Sequence, residues 1–190
     1  LDAIPEETAR RAKFIYINYP NNPTGAVATK AFYEKLVAWA KTYEVGVVSD
    51  LAYGALGYRG YENPSFLSTP GAKDVGIEFY TFSKTFNMAG WRLAFAAGNE
   101  QMIEALNLIQ DHLFVGIFPA LQEAGIAALL NPKSEEAVAQ LNATYDSRRD
   151  AFVQAAAKIG WKAFPSKGSF YAWMPVPEGY TSESFADLLL

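Results

Sequence analysis

Four short apolar runs, the first three ending at polar side chains, constrain this chain more than any other feature. They are Lys13 to Asn18 (KFIYIN), Val45 to Ser49 (VGVVS), Ile77 to Phe82 (IEFYTF) and Leu93 to Ala97 (LAFAA). Each has strand length and little alternation, the pattern of strands covered on both faces. Between the first two, Phe32, Leu36, Val37, Trp39 and Ala40 fall close to helical spacing, which predicts a helix over Lys30 to Tyr43 with Thr29 as its cap. Strands separated by a helix predict an α/β fold with a mostly parallel sheet flanked by helices. In such sheets ligands sit beyond the carboxyl ends of the strands. The positions following the first three runs carry Asn22, Asp50 and Lys84.

From Glu100 onward the pattern turns helical: Glu100 to Leu113, Pro119 to Leu130, and a long helix from Ser134 to Ile159 with Gly160 as its stop. Ser169 to Met174 (SFYAWM), bounded by Pro175 and Pro177, reads as a strand opening a smaller α+β domain. The expected division is therefore residues 1–130 for one domain and 131–190 for a linking helix and the start of a second. The chain starts at Leu1 without Met and stops at Leu190 inside a helical pattern, so both ends are expected to be cuts.

Composition narrows the partners. Sixteen Lys+Arg against twenty Asp+Glu give a net charge of −4, which is no footprint for nucleic acid or an anionic membrane. No apolar run reaches membrane-spanning length; Leu113 to Leu130 is interrupted by Pro119, Gln122 and Glu123. The absence of cysteine rules out a disulfide framework, a thiolate metal site and a Cys nucleophile, and fits a reducing, cytoplasmic compartment. With His112 the sole histidine, a multi-histidine zinc site cannot be built within this chain. His112 itself reads as a surface or interface residue rather than a catalytic one, Arg148 and Arg149 as a solvated helix face, and Gly54, Gly57 and Gly60 as marks of a flexible loop. A small-molecule partner remains.

The window richest in chemistry is Thr81-Phe82-Ser83-Lys84-Thr85-Phe86-Asn87-Met88-Ala89-Gly90-Trp91-Arg92. A lysine at a strand end beside hydroxyls, with an arginine eight residues on, suits a Schiff-base nucleophile next to an anion site. Arg92 can fork onto a phosphate, and Thr81 and Ser83 can add hydroxyl donors. Taken alone, Lys84 and Arg92 read as surface charges, Asp50 as a capping residue, Asn22 as a turn residue and Tyr53 as a core aromatic.

Taken together, the window is similar to the S-x-S-K-x-x-x-x-x-G-W-R signature of the class I/II aminotransferase family of fold type I pyridoxal-phosphate enzymes, with Thr81 at the first serine. Asn22-Pro23-Thr24-Gly25 resembles that family's N-P-T-G, and Asp50-Leu51-Ala52-Tyr53 its D-x-x-Y, in the family's order. Gly168-Ser169-Phe170-Tyr171 resembles its G-x-F-Y strand, which walls the substrate pocket; a plain core strand fits these residues equally. The wording around NYPNNPTGAV, SKTFNMAGWR and DHLFVGIFPALQ looks most like bacterial aminotransferases for aspartate, or for methionine and its 2-oxo acid in methionine salvage.

The resemblance implies pyridoxal 5′-phosphate as cofactor, held by Asn22, Asp50, Tyr53, Thr81, Ser83, Lys84 and Arg92, with Lys84 the catalytic Schiff-base lysine. It implies transfer of an amino group between an L-amino acid and a 2-oxo acid, and a homodimer when full length. Residues 1–130 would then be part of the large cofactor domain and 131–190 would open the small one. Family members are about twice this length. The phosphate loop, the aromatic that stacks on the pyridine ring and the carboxylate-binding arginine have no counterpart here, so the piece alone is expected not to transaminate. A carbon–sulfur lyase or an aminocyclopropane carboxylate synthase would keep the same Lys84, Asp50 and Tyr53. A catalytically idle ligand-sensing domain is the reading from another class.

Overall fold

A computed structural model describes residues 1–190. In chain order the regular elements are α1 (Glu6–Arg11), β1 (Phe14–Asn18), α2 (Lys30–Tyr43), β2 (Gly46–Asp50), α3 (Ala72–Val75), β3 (Gly76–Thr81), α4 (Phe82–Thr85), β4 (Ala94–Gly98), α5 (Glu100–Leu113), α6 (Pro119–Leu130), α7 (Ser134–Lys158) and α8 (Ser182–Leu189). The strands lie in the order β1-β2-β3-β4. The first three are parallel, and β4 runs antiparallel to β3. That reversal follows from the connection: a single helical turn, α4, and one short 3₁₀ turn lie between β3 and β4, in place of a crossover helix.

The expected helix boundaries are met closely. Helix α2 begins where Thr29 Oγ1 accepts the Phe32 N–H at 3.1 Å, and ends where Glu44 turns left-handed at φ 55°. Its buried face, Tyr33, Leu36, Val37 and Ala40, packs on Ile17, Val47, Phe66 and Ala72 to make the main core. On the opposite face of the sheet, Met102 of α5 lies beside Phe14 and Gly46. Tyr16 of β1, the edge strand, is 76% exposed, so the two-sided covering read from the sequence does not reach that edge. No helix is long and apolar enough to cross a membrane.

Within this core sits one carboxylate. Glu78 on β3 is 6% exposed and takes hydrogen bonds from Ser49 Oγ at 3.0 Å, Ser65 Oγ at 2.5 Å and the Phe66 N–H at 2.8 Å. A buried carboxylate is tolerated when its lone pairs are filled in this way. These bonds tie the long loop after β2 back onto β2 and β3.

Three expectations are corrected. Residues Ser169 to Met174 form no strand: Ser169 stands at φ +64°, outside the extended region, and sheet-like pairing is limited to one antiparallel bridge between Gly57 and Gly168. Arg149 does not lie on a solvated face, because its side chain is only 12% exposed. Around Gly54 and Gly57 the loop is packed rather than free, with Leu56 and Tyr58 buried and a Cβ at Gly57 destined to strike the Tyr61 carbonyl, while Gly60 stands in open space at its exposed tip. His112, by contrast, is exposed in the last turn of α5.

Replacing Glu78 by Ala strands two hydroxyls and one backbone N–H in the core and is expected to cost about 3 kcal/mol, while Glu78→Gln, keeping one acceptor oxygen, costs less. Denaturant unfolding of the wild type and the two variants checks this; a Glu78→Ala variant as stable as the wild type would show that the carboxylate's bonds contribute nothing.

Candidate functional site

The parallel register sets the carboxyl ends of β1, β2 and β3 along one edge. Asn18 lies directly opposite Asp50, and Asp50 opposite Phe79, two residues before Thr81. Because partners in register point to the same face and alternate residues share it, Asn18, Asp50 and Thr81 project from one side of the sheet. Asn18 then joins two loops: its Nδ2 donates to the Asp50 carbonyl at 3.1 Å, and its Oδ1 accepts the Asn22 N–H at 2.8 Å. The Pro20–Gly25 turn is closed further by the Gly25 N–H donating to the Asn21 carbonyl and by the Thr24 hydroxyl donating to Asn21 Oδ1 at 2.6 Å. Asn22 is thus held over the end of β2.

At that end Asp50 Oδ1 accepts the Ala52 N–H at 2.9 Å and the carboxylate stays open to solvent. One turn later Tyr53 is 4% exposed. Its hydroxyl meets the Tyr171 hydroxyl at 2.8 Å, and its ring packs edge-on against Phe170 and Tyr171. Burial pushes the Tyr53 hydroxyl well above the usual phenol range; the Tyr171 bond and the Asp50 charge push the same way, and the Asn22 side chain pulls it down.

Thr81 ends β3 and caps α4, its Oγ1 accepting the Ser83 N–H at 3.2 Å and lying 3.0 Å from Ser83 Oγ. That cap turns the chain sharply, and Lys84 emerges half-buried one residue beyond Ser83. Its Nζ stands 5.6 Å from the ring centre of Phe170 and 6.0 Å from that of Tyr53, within reach of the negative faces of both. The structure therefore brings Asn22, Asp50, Tyr53 and Lys84 to one corner, with Thr81 and Ser83 beneath the lysine. Arg92 joins them less directly: it is exposed, left-handed at φ 52°, and its Nη1 donates to the Ala89 carbonyl at 3.0 Å.

Several participants were not singled out from the sequence. Asn18 reads there as the last residue of a strand, and only register reveals that its amide serves both loops. The Tyr171 hydroxyl, reading as part of a pocket wall, is a partner of Tyr53. Tyr58 and Arg149 hold the segment that carries Tyr171; for Arg149 the flanking Asp146 and Asp150 were the available signal.

The set suits pyridoxal 5′-phosphate by its chemistry: an amine for an aldehyde, a carboxylate for a ring nitrogen, a phenol and an amide for a phenolic oxygen, and hydroxyls with a guanidinium for a phosphate.

A sequence profile of the aminotransferase class I and II family matches residues 1–190. The L-glutamine–4-(methylsulfanyl)-2-oxobutanoate aminotransferase of Bacillus subtilis is 56% identical over 188 residues, 99% of this chain and 47% of its own length. The LL-diaminopimelate aminotransferase of Moorella thermoacetica is 50% identical over 190 residues, 100% of this chain and 48% of its own. Among solved structures, substrate-bound BacF from B. subtilis superposes with a TM-score of 0.94 at 46% identity, covering 99% of this chain and 48% of that one. An aminotransferase from Staphylococcus aureus gives 0.93 at 40% identity, covering 99% and 49%. The chain spans about half the length of the curated relatives it matches.

Burial also sets an alkaline limit. The Tyr58 hydroxyl is pushed up to about 12 by burial, against the counter-pull of the Arg149 charge, and burial likewise raises Tyr33 and Tyr53. A phenol with a raised folded pKa contributes stability that is complete below its unfolded value of 10.0 and is lost as pH climbs through about 12. In a spectrophotometric titration these phenols are expected to ionise late and together with unfolding; all eleven tyrosines titrating near pH 10 in a folded protein would contradict the burial described.

Proposed function

The chain belongs to the aminotransferase class I and II family, and from that premise we propose that it forms the lysine-bearing half of the active site of a pyridoxal-phosphate-dependent transaminase. The observation that carries the reading is the placement of Lys84 Nζ beside the packed Tyr53 and Phe170 rings, 6.0 and 5.6 Å from their centres, at the strand edge that also holds Asp50 and Asn22.

Bound there, pyridoxal 5′-phosphate supplies an electron sink for the pair left at a substrate's Cα when its proton departs. Asp50 would hold the proton on the ring nitrogen that keeps this sink strong. The Tyr53 hydroxyl and the Asn22 amide would donate to the phenolic oxygen. Thr81, Ser83 and Arg92 would hold the phosphate through hydroxyl and guanidinium hydrogen bonds. Lys84 Nζ would anchor the cofactor's aldehyde as an amine nucleophile and, when free, would serve as the base that takes the proton from the substrate's Cα. Phe170 and Tyr53 flank that amine with their rings.

For substrates, the 56% identity to the B. subtilis glutamine enzyme supports L-glutamine as donor and 4-(methylsulfanyl)-2-oxobutanoate as acceptor. LL-diaminopimelate is the competing donor, since the Moorella relative is named for it at 50% identity. Residues 1–130 would belong to the large cofactor domain and residues 131–190 to the linking helix and the start of the small domain. A cytoplasmic homodimer completes the proposal, supported by the exposure of Phe114, Val115 and Phe118 between α5 and α6.

In the full-length protein, pyridoxal 5′-phosphate is expected to give a visible absorbance band that L-glutamine discharges and 4-(methylsulfanyl)-2-oxobutanoate restores. Discharge by LL-diaminopimelate and not by glutamine would replace the donor. Lys84→Ala is expected to keep the cofactor non-covalently and lose about 10³-fold or more in kcat, and Asp50→Asn about 10²-fold. Wild-type rates in either variant would remove that residue from the mechanism.

A further inference from the structure

Helix α7 carries a guanidinium that this chemistry does not use. Arg149 is ion-paired with Asp146 one turn earlier and with Asp150 at 2.9 Å, and a further N–H reaches the Ser166 carbonyl at 2.9 Å. Its Cζ lies 4.9 Å from the ring centre of Tyr58. Tyr58 is itself 3% exposed; its O–H donates to the Ser169 carbonyl at 2.5 Å and its backbone N–H to the Lys167 carbonyl at 3.1 Å. One guanidinium, the phenol beside it and that tyrosine's backbone amide therefore hold three carbonyls of a segment that has no strand ladder of its own.

That segment is the one that closes the lysine corner. Its far end presents the Tyr171 hydroxyl to Tyr53 and the Phe170 ring to Lys84. At its near end Ser166 Oγ lies 2.9 Å from the Gly25 carbonyl, on the turn that carries Asn22. An exposed ion pair would contribute little to such an arrangement. Arg149 differs because it is nearly enclosed and because its planar fork serves two carboxylates and a carbonyl at fixed angles, which a lysine ammonium cannot reproduce.

We infer that Arg149 is a positioning residue for the lysine site: through Ser166–Tyr171 it fixes the Tyr171 hydroxyl on Tyr53. The inference rests on the transaminase reading above. Each tyrosine has one hydroxyl hydrogen and either can donate in this pair, so although Tyr53 donating to Tyr171 is the sense that raises its pKa, Tyr53 can give its hydrogen to the cofactor's phenolic oxygen only if Tyr171 supplies the hydrogen of the pair. A hydrogen bond accepted at the Tyr53 oxygen strengthens the one that oxygen donates. Loosening Arg149 thus weakens Tyr53 as a donor without touching it.

The test uses the full-length holoenzyme with Arg149→Met, Tyr171→Phe, their double variant and Tyr58→Phe. The readouts are the pH midpoint of the lysine-bound cofactor's absorbance change and the thermal midpoint. A role confined to fold stability would move only the second. Each single variant is expected to raise the pH midpoint by about half a unit, and the double variant by no more than either alone. If Arg149→Met fails to fold, Tyr58→Phe, which removes one hydroxyl, carries the comparison. A wild-type pH midpoint in any folded variant, or additive shifts in the double, overturns the inference. A wild-type protein with no lysine-bound band removes the transaminase reading and this inference with it, whereas a band indifferent to the variants removes the inference alone.

Discussion

Everything at the lysine corner depends on the register of β1 against β2. Asn18 opposite Asp50 lets one side-chain amide hold the Asp50 carbonyl and the Asn22 N–H at once. A slip of one residue would turn Asn18 to the other face of the sheet and bury Tyr16 where Ile17 now packs. The register is set by apolar burial: Ile17 and Val47 face Tyr33, Leu36 and Phe66 in the main core. Hydrophobic packing on one face of the sheet thus positions polar groups at its edge, about 25 cal/mol per Å² buried being spread over many side chains rather than concentrated at the site.

The second requirement is met from far along the chain. Residues 165–171 return from α7 to lie over the loop after β2, and they do so as an irregular segment. Three hydroxyls and one guanidinium replace the sheet ladder: Ser166 with Gly25, Tyr58 with Ser169, Tyr171 with Tyr53, and Arg149 with Ser166. Irregular backbone held by side chains can place a ring and a hydroxyl at angles that a flat strand would not allow. This arrangement joins the first half of the site, contributed by strand ends, to aromatics that the sheet does not supply.

Much of this was legible in the residues. Strand-length apolar runs ending at Asn18, Asp50 and Ser83-Lys84 fixed both the α/β architecture and the edge at which chemistry gathers, because burial and strand length are local properties. Thr29 marked the start of α2 for the same reason, since a cap is a local hydrogen bond. What escaped was the part decided by distant partners. Ser169 to Met174 has the composition of a strand, yet the left-handed Ser169 and the docking of Ser166 and Ser169 on Gly25 and Tyr58 are tertiary facts. Arg149 has the local signature of a surface helix, and only the fold reveals that Tyr58 and Ser166 close over it. The residues proposed to bind the cofactor stood out because three motifs coincided with three strand ends, whereas the groups that hold those residues in place carry no motif.

The central claim is that Lys84 is the nucleophile that holds an aldehyde cofactor at this corner. Its most direct measurement is borohydride reduction of the full-length protein incubated with pyridoxal 5′-phosphate, followed by peptide mapping by mass spectrometry. The account predicts a reduced phosphopyridoxyl group on the peptide spanning Lys84, at one equivalent per chain and absent without borohydride. A label carried chiefly by other lysines, or none above the level of a denatured control, would contradict it.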